Sequence, residues 1–280
     1  MAAFQGLNRF IALYVDTIKQ IGRGRIWGLL FLYFLFDWLI LYAHYDFFSP
    51  IFYGLINPWI HIVNGRYATG FTHYPGHFLT LPYFFGWAKF YAGILVEGAV
   101  LGAVAMMFYY GFVKVTEREE KTFGGVVYLW FQLVLAWLVI NGIILFINVK
   151  LPGMLHTVLV GSPRRIYVFT NMVQPFLYVL TVSFFFFAIP YIVVHQVSFA
   201  RGLLESLKIF LKHPFTAFFL SLTIMVVPLL LNLLINQEDT IVNKFRPELI
   251  YWLLLIGLVV DMAVNFLWMG TATRFLIEED

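Results

Sequence analysis

Asp37, Glu97 and Asp261 are carboxylates set about midway along three long apolar stretches, and Lys89 lies in the outer third of the second of these. Asn265 follows Asp261 by four residues and Gly257 precedes it by four, which gives the last stretch a small and polar stripe at helical spacing. An ionised carboxylate near the centre of a bilayer costs at least about 2.5–3.5 kcal/mol on insertion scales, so such groups face protein or water and find partners. Two chemistries fit acids at a common depth. One is a proton or cation relay, or the polar lining of a substrate cavity between the first, second and sixth spans. The other is purely structural: protonated carboxyls that hydrogen-bond neighbouring helices, with an ion pair to Lys89. Both stay open on the sequence alone.

A second set of reactive side chains is His61, His73 and His77. His73 and His77 have the i, i+4 spacing of helical metal ligands, but Pro75 and Gly76 lie between them and should break that helix. Asp46 is the one carboxylate close in sequence. Histidines at a membrane interface that bond headgroups or backbone are the simpler account, so no metal and no cofactor is expected. The chain has no Cys, which removes disulfides, thiolate zinc sites and thiol nucleophiles together. It also has no GxxxxGK[ST], GxSxG or HExxH sequence. With no catalytic signature, the expectation leans away from an enzyme and names no catalytic residue. A membrane enzyme using the outer histidines is the third reading.

The elements that must position these residues follow from hydropathy. Hydrophobic residues make up 61% of the 280 and charged ones 12%, half the share usual for a water-facing domain. Spanning about 30 Å of hydrocarbon takes about 20 apolar residues in a helix. Six stretches qualify: about 26–44, 83–113, 126–149, 172–194, 214–235 and 249–273. The chain is therefore read as one all-α integral membrane domain of six transmembrane helices plus interfacial amphipathic helices. Pro190 and Pro228 fall inside spans four and five and should kink them.

Residues 3–21 place Phe4, Leu7, Phe10, Ile11, Tyr14, Val15 and Ile18 at helical spacing, as expected of a helix lying in the interface with its apolar face down. Residues 198–213 form a second such helix, with Phe199, Leu203, Leu207 and Phe210 on one face and Arg201, Glu205 and Lys208 on the other. Residues 46–82 are rich in aromatics and broken by Pro50, Pro58, Pro75 and Pro82, so they are expected to form an interfacial or re-entrant outer lid. Residues 150–171 look like a shorter version. Glu117 to Lys121 should be a solvated turn of mixed charge, and Asn141, Asn148 and Asn232 should hydrogen-bond between helices.

Orientation follows from the basic residues. With the N-terminus inside, 11 of the 18 Lys and Arg fall on the cytoplasmic side, so both ends are expected in the cytoplasm. No cleavable signal peptide is read in residues 1–25. The lack of an Asn-x-Ser/Thr sequon is compatible with a prokaryotic cytoplasmic (inner) membrane. The scattered basic residues give no nucleic-acid-binding face.

The stretch FARGLLESLKIFLKHPFTAFFLSLTIMVVPLLLNLL, residues 199–234, resembles a pattern in little-characterised bacterial membrane families. These include the membrane domain attached to some glycerophosphodiester phosphodiesterases. The shared feature is an amphipathic ESLKIFLKHP helix running into a span with a mid-span proline, about an eighth of the chain. The resemblance implies an accessory membrane domain and no catalytic residues. The chain is also similar to transporter permeases, whose elbow helix precedes span one and whose cytoplasmic coupling helices dock on an ATPase.

The leading expectation is a transport or lipid-handling protein with Asp37, Lys89, Glu97, Asp261 and Asn265 as cavity or relay residues. The rival is an accessory or scaffolding subunit of a larger membrane complex. The expected partners are membrane lipids and other membrane subunits, or further copies of the chain.

Overall fold

The computed structural model describes residues 2–113, 128–155 and 161–279. The expected charged turn at 117–121 and the first two residues of the expected third span lie outside these. The described residues contain helices and no strand. They are α1 (Ala2–Lys19), α2 (Gly24–Tyr45), α3 (Pro50–Phe71), α4 (Gly76–Phe112), α5 (Trp130–Leu145), α6 (Leu151–Met154) and α7 (Pro163–Val168). After these come α8 (Gln174–Phe185), α9 (Ala188–His195), α10 (Phe199–Lys212), α11 (Pro214–Ile235), α12 (Glu238–Lys244) and α13 (Leu249–Glu279). Short π-helical turns, Phe146–Lys150 and Phe169–Val173, join α5 to α6 and α7 to α8.

Six helical segments are long and apolar enough to cross a membrane: Gly24–Tyr45, Gly76–Phe112, Trp130–Met154, Arg164–His195, Pro214–Ile235 and Leu249–Glu279. The chain is an all-α, multi-pass membrane protein. It divides into two units, one of Met1–Leu30, Ile94–Val226 and Val264–Asp280, the other of Phe31–Gly93 and Val227–Ala263.

In the first unit, the apolar residues of α1 do not all face one way. Leu13 and Thr17 are fully buried, and Tyr14 Oη donates to the Leu220 carbonyl at 3.2 Å. Thr17 sits on Gly270 of α13, where a Cβ would lie 2.3 Å from Thr17 Cγ2 and 2.9 Å from the Phe108 ring. Ile11, Val15 and Ile18 form a separate exposed stripe. The single apolar face expected for this helix is thus split between protein and surroundings.

Span four bends where chemistry requires it. Pro190 has no N–H to offer the carbonyl four residues back, that of Phe186. The helix breaks at Phe186 and Phe187, and Trp268 Nε1 donates to that carbonyl at 2.8 Å. Ser206 of α10 completes the repair: its Oγ donates to the Phe184 carbonyl at 2.9 Å and accepts from the Phe187 N–H at 3.2 Å. The break therefore leaves these polar groups paired inside an apolar core, as a low-dielectric site demands.

Residue Gln196 ends α9 in the left-handed region (φ 53°, ψ 47°), and the Val197 N–H reaches back to the Ile192 carbonyl at 3.2 Å. The chain then reverses into α10, whose first N–H, that of Phe199, is capped by Gln132 Oε1 at 2.9 Å. α10 seats most closely through its small residues. Its fully buried positions are Gly202, against Ile192, and Ser206; Leu203, Leu207 and Phe210 flank them half-buried. Small residues allow the close approach, a common device between membrane helices. Gly98 serves the same purpose on α4, where a Cβ would fall 2.8 Å from the Leu133 carbonyl oxygen. Asn148 bonds across helices to Gln174, whereas Asn141 bonds the Trp137 carbonyl on its own helix.

The second unit holds the main surprise. Residues 50–71 form a 22-residue helix, α3, within the segment expected to be a proline-broken lid. Pro50 occupies the first turn, where its missing N–H costs nothing, and Ser49 caps the N-terminus through Phe52 N. Pro58 is accommodated within the helix, and the actual distortion falls at Asn64 (φ −163°, ψ 92°). Likewise Pro82 lies inside α4, which begins at Gly76, earlier than the span expected from hydropathy. Around these helices Phe47, Phe71, Phe84, Leu41, Ile60, Leu81 and Ile250 form a fully buried aromatic-rich core.

Candidate functional site

Asp37 of α2, Lys89 of α4 and Asp261 of α13 meet in the second unit. Lys89 Nζ lies 2.6 Å from Asp261 Oδ2 and 3.6 Å from Asp37 Oδ2. A buried ion pair is favourable only when close geometry offsets the loss of water from both partners. Contact with a shared ammonium brings these two carboxylates to one place in the second unit.

Burial grades across the triad. Asp37 is 2% exposed, the Lys89 side chain 23% and the Asp261 side chain 39%. Asp37 is therefore the inner member and Asp261 the open one. Asp37 Oδ1 is buried without a hydrogen-bond partner among the described residues, and Tyr33, one turn earlier on α2, is its nearest polar neighbour on that helix. Two carboxylates thus face one ammonium.

Glu97, half-buried on α4, and Asn265, buried on α13, belong to the first unit and are no part of this triad. Tyr33 went unremarked in the sequence, although its i−4 spacing from Asp37 is the signal that would have found it.

The histidines do not assemble. His61 and His73 are exposed, while His77 is buried, and residues 72–75, Pro75 among them, separate α3 from α4. No group of three His, Asp or Glu among the described residues is arranged to hold a metal ion. The buried partner of His77 in composition is instead His44, at the end of α2. His44 Nδ1–H donates to the Ile40 carbonyl at 2.8 Å and His77 Nδ1–H to the Phe71 carbonyl at 3.1 Å. The His77 ring packs 4.3 Å from Phe71 and within 6.3 Å of Phe47. Both rings thus serve as polar-tipped members of the aromatic core.

A different arrangement of charge occupies the helix ends of the first unit. Arg9 of α1 pairs with Glu278 at 3.3 Å and Glu279 at 2.7 Å. Glu279 also binds Lys212 at 2.7 Å and His213 at 3.1 Å, and Arg274 pairs with Asp16 at 3.1 Å and Glu278 at 3.2 Å. The Lys19 hydrogen bond, with help from Arg274, holds the Asp16 carboxyl below its usual value of 3.8. This network ties α1, the end of α10 and the end of α13 together, and its members all reach solvent in part. No protein-family pattern, curated protein or solved structure matches this chain.

Proposed function

We propose that this chain is a membrane transport protein in which Asp37, Lys89 and Asp261 form the charge-handling site. The observation that carries the reading is the imbalance of the triad: two acids share one lysine inside three span-length helices. Lys89 is close to both acids and tight to one. A proton or small cation arriving at the outer member, Asp261, competes with Lys89 for that carboxylate. The ammonium then has Asp37 as its alternative partner, one ångström further away in the present arrangement. Charge thereby enters at the open acid and moves the pairing inward without leaving an ion unpaired in low dielectric. Glu97 and Asn265, on the first unit, remain candidate relay or cavity residues in their own right. The excess of Lys and Arg around the N-terminal side supports a cytoplasmic N- and C-terminus in a prokaryotic cytoplasmic membrane.

The test is solid-supported-membrane electrophysiology on the reconstituted protein, with jumps in proton and sodium concentration. Wild type is expected to give a charge-displacement transient for one of these ions, and folded Asp261→Asn to lose it. The absence of any transient from wild type, or an undiminished one from Asp261→Asn, would reject the site.

One observation favours a second reading. Asp261 is more than a third exposed halfway along a span-length helix, and a carboxylate facing lipid there is costly. A polar group on another membrane subunit would cover it, which makes the chain an accessory subunit of a complex. Native mass spectrometry after gentle extraction separates the readings: a stoichiometric protein partner, lost in an Asp261→Leu variant, supports the subunit.

A further inference from the structure

At the start of α2 and the end of α4, within the first unit, lies a cavity of about 560 Å³. It is lined by Arg23, Gly24, Arg25, Ile26, Met107 and Tyr110. We infer that this cavity is a binding site for a phosphate ester, and that its ligand is the headgroup of an anionic phospholipid.

The chemistry of the lining points to an anion. Arg23 is held in place: its Nη2 donates to the Gly111 carbonyl at 3.2 Å, and its guanidinium rests against Gly111, where a Cβ would fall 2.7 Å from Nη1. Its remaining N–H groups are therefore presented from a fixed fork, the geometry that suits phosphate oxygens. Arg25 adds a second guanidinium that has no carboxylate partner among the described residues. Two arginines in one cavity with no described acid to neutralise them leave an unmet positive charge. Among the described acids of this unit, Asp16, Glu278 and Glu279 are taken by Arg9, Arg274, Lys19, Lys212 and His213, and Glu205 by Lys208. Trp27 Nε1 donates to the Ile21 carbonyl at 2.8 Å and fixes the turn that carries both arginines.

The place and size of the cavity decide which phosphate. Two span-length helices end at its walls, so it sits where membrane helices leave the hydrocarbon, at headgroup level. Its volume far exceeds that of a bare phosphate, and Ile26 and Met107 give it an apolar side suited to the glycerol ester and first methylenes. Juxtamembrane basic residues attract anionic lipid by about 1 kcal/mol each, a factor of about five per residue.

The experiment uses the full-length protein in vesicles of mixed phosphatidylcholine and phosphatidylglycerol, extracted gently and weighed by native mass spectrometry. Wild type is expected to retain phosphatidylglycerol over phosphatidylcholine, and Arg23→Gln/Arg25→Gln to retain roughly tenfold less or lower still. Met107→Trp keeps both charges but fills the cavity, and it should displace the lipid as well; it also guards against a double variant that fails to fold. Added millimolar inorganic phosphate separates the two sources of the group. If phosphate leaves the lipid in place, the headgroup is the ligand. If phosphate binds alone and displaces lipid, the lipid assignment is overturned in favour of a free phosphate ester. Equal retention of the two lipids by wild type, or unchanged retention in both variants, overturns the site altogether.

Discussion

The two units handle charge in opposite ways. In the first, acids and bases pair at helix ends, each partly in contact with solvent, and several members hold more than one partner: Glu279 takes Arg9, Lys212 and His213, and Arg274 takes Asp16 and Glu278. In the second, one base serves two acids inside span-length helices, and the inner acid is almost fully buried. Exposed ion pairs are worth about 0–1 kcal/mol each, whereas breaking a buried pair typically costs about 3–5 kcal/mol. At the bend of span four, within the first unit, the polar groups Ser206 and Trp268 are neutral and pair with backbone. Shared pairing at helix ends ties several helices to one another, whereas in the second unit two acids depend on a single base.

The comparison breaks most visibly at Lys89. Replacing Lys89 by Met strands two carboxylates, and a loss of about 3–5 kcal/mol is expected in detergent unfolding. Neutralising the acids as well, in Asp37→Asn/Lys89→Met/Asp261→Asn, should recover much of it; a triple variant as unstable as the single one would mean that charge is not what the triad balances. Next comes Gly98→Ala in the first unit. The added methyl meets the Leu133 carbonyl, a backbone atom that cannot rotate aside, so about 1–3 kcal/mol should be lost. Trp268→Phe deletes the donor to the Phe186 carbonyl and should cost about 1–2 kcal/mol. A Pro190→Ala change in that background should restore part of this by returning the N–H, which a double-mutant cycle reads directly.

Smaller effects sharpen the rim. Gln196→Gly relieves a left-handed residue and is expected to raise stability by about 1 kcal/mol in the same unfolding assay. Asp16→Asn should have the smallest effect, and a pH-dependent one. Because the folded-state value of Asp16 is depressed, its contribution is present above about 3.8 and lost as pH falls through the lower folded value. Melting temperatures of wild type and variant should therefore differ at neutral pH and converge in acid. A constant gap across that range would remove Asp16 from the network.

Much of this organisation is legible in the sequence, because the membrane reduces the problem to long apolar runs and their interruptions. All six spans and both amphipathic helices are readable that way, as is the bend in span four from Pro190. The members of the triad are legible as charges in apolar stretches, Lys89 among them as an ion-pair partner, but the sequence does not separate them from Glu97, because depth along a span says nothing of which way a side chain faces. Helix α3 is not legible, since Pro50 and Pro58 read as breaks until Ser49 is seen to cap one and the helix to absorb the other. The seating of α10 on Gly202 and Ser206 escapes a pattern search for another reason. Hydrophobic periodicity marks bulky faces, while close packing between helices is decided by the residues with least side chain.

The bond from Trp268 to the Phe186 carbonyl gives the molecule a built-in optical probe. Indole fluorescence and the ultraviolet Raman bands of the ring respond to whether its N–H is bonded, so the state of the bend in span four is written into the emission of a native residue. With the other seven tryptophans replaced by Phe, that emission follows the hinge in an intact bilayer, with no dye and no label attached.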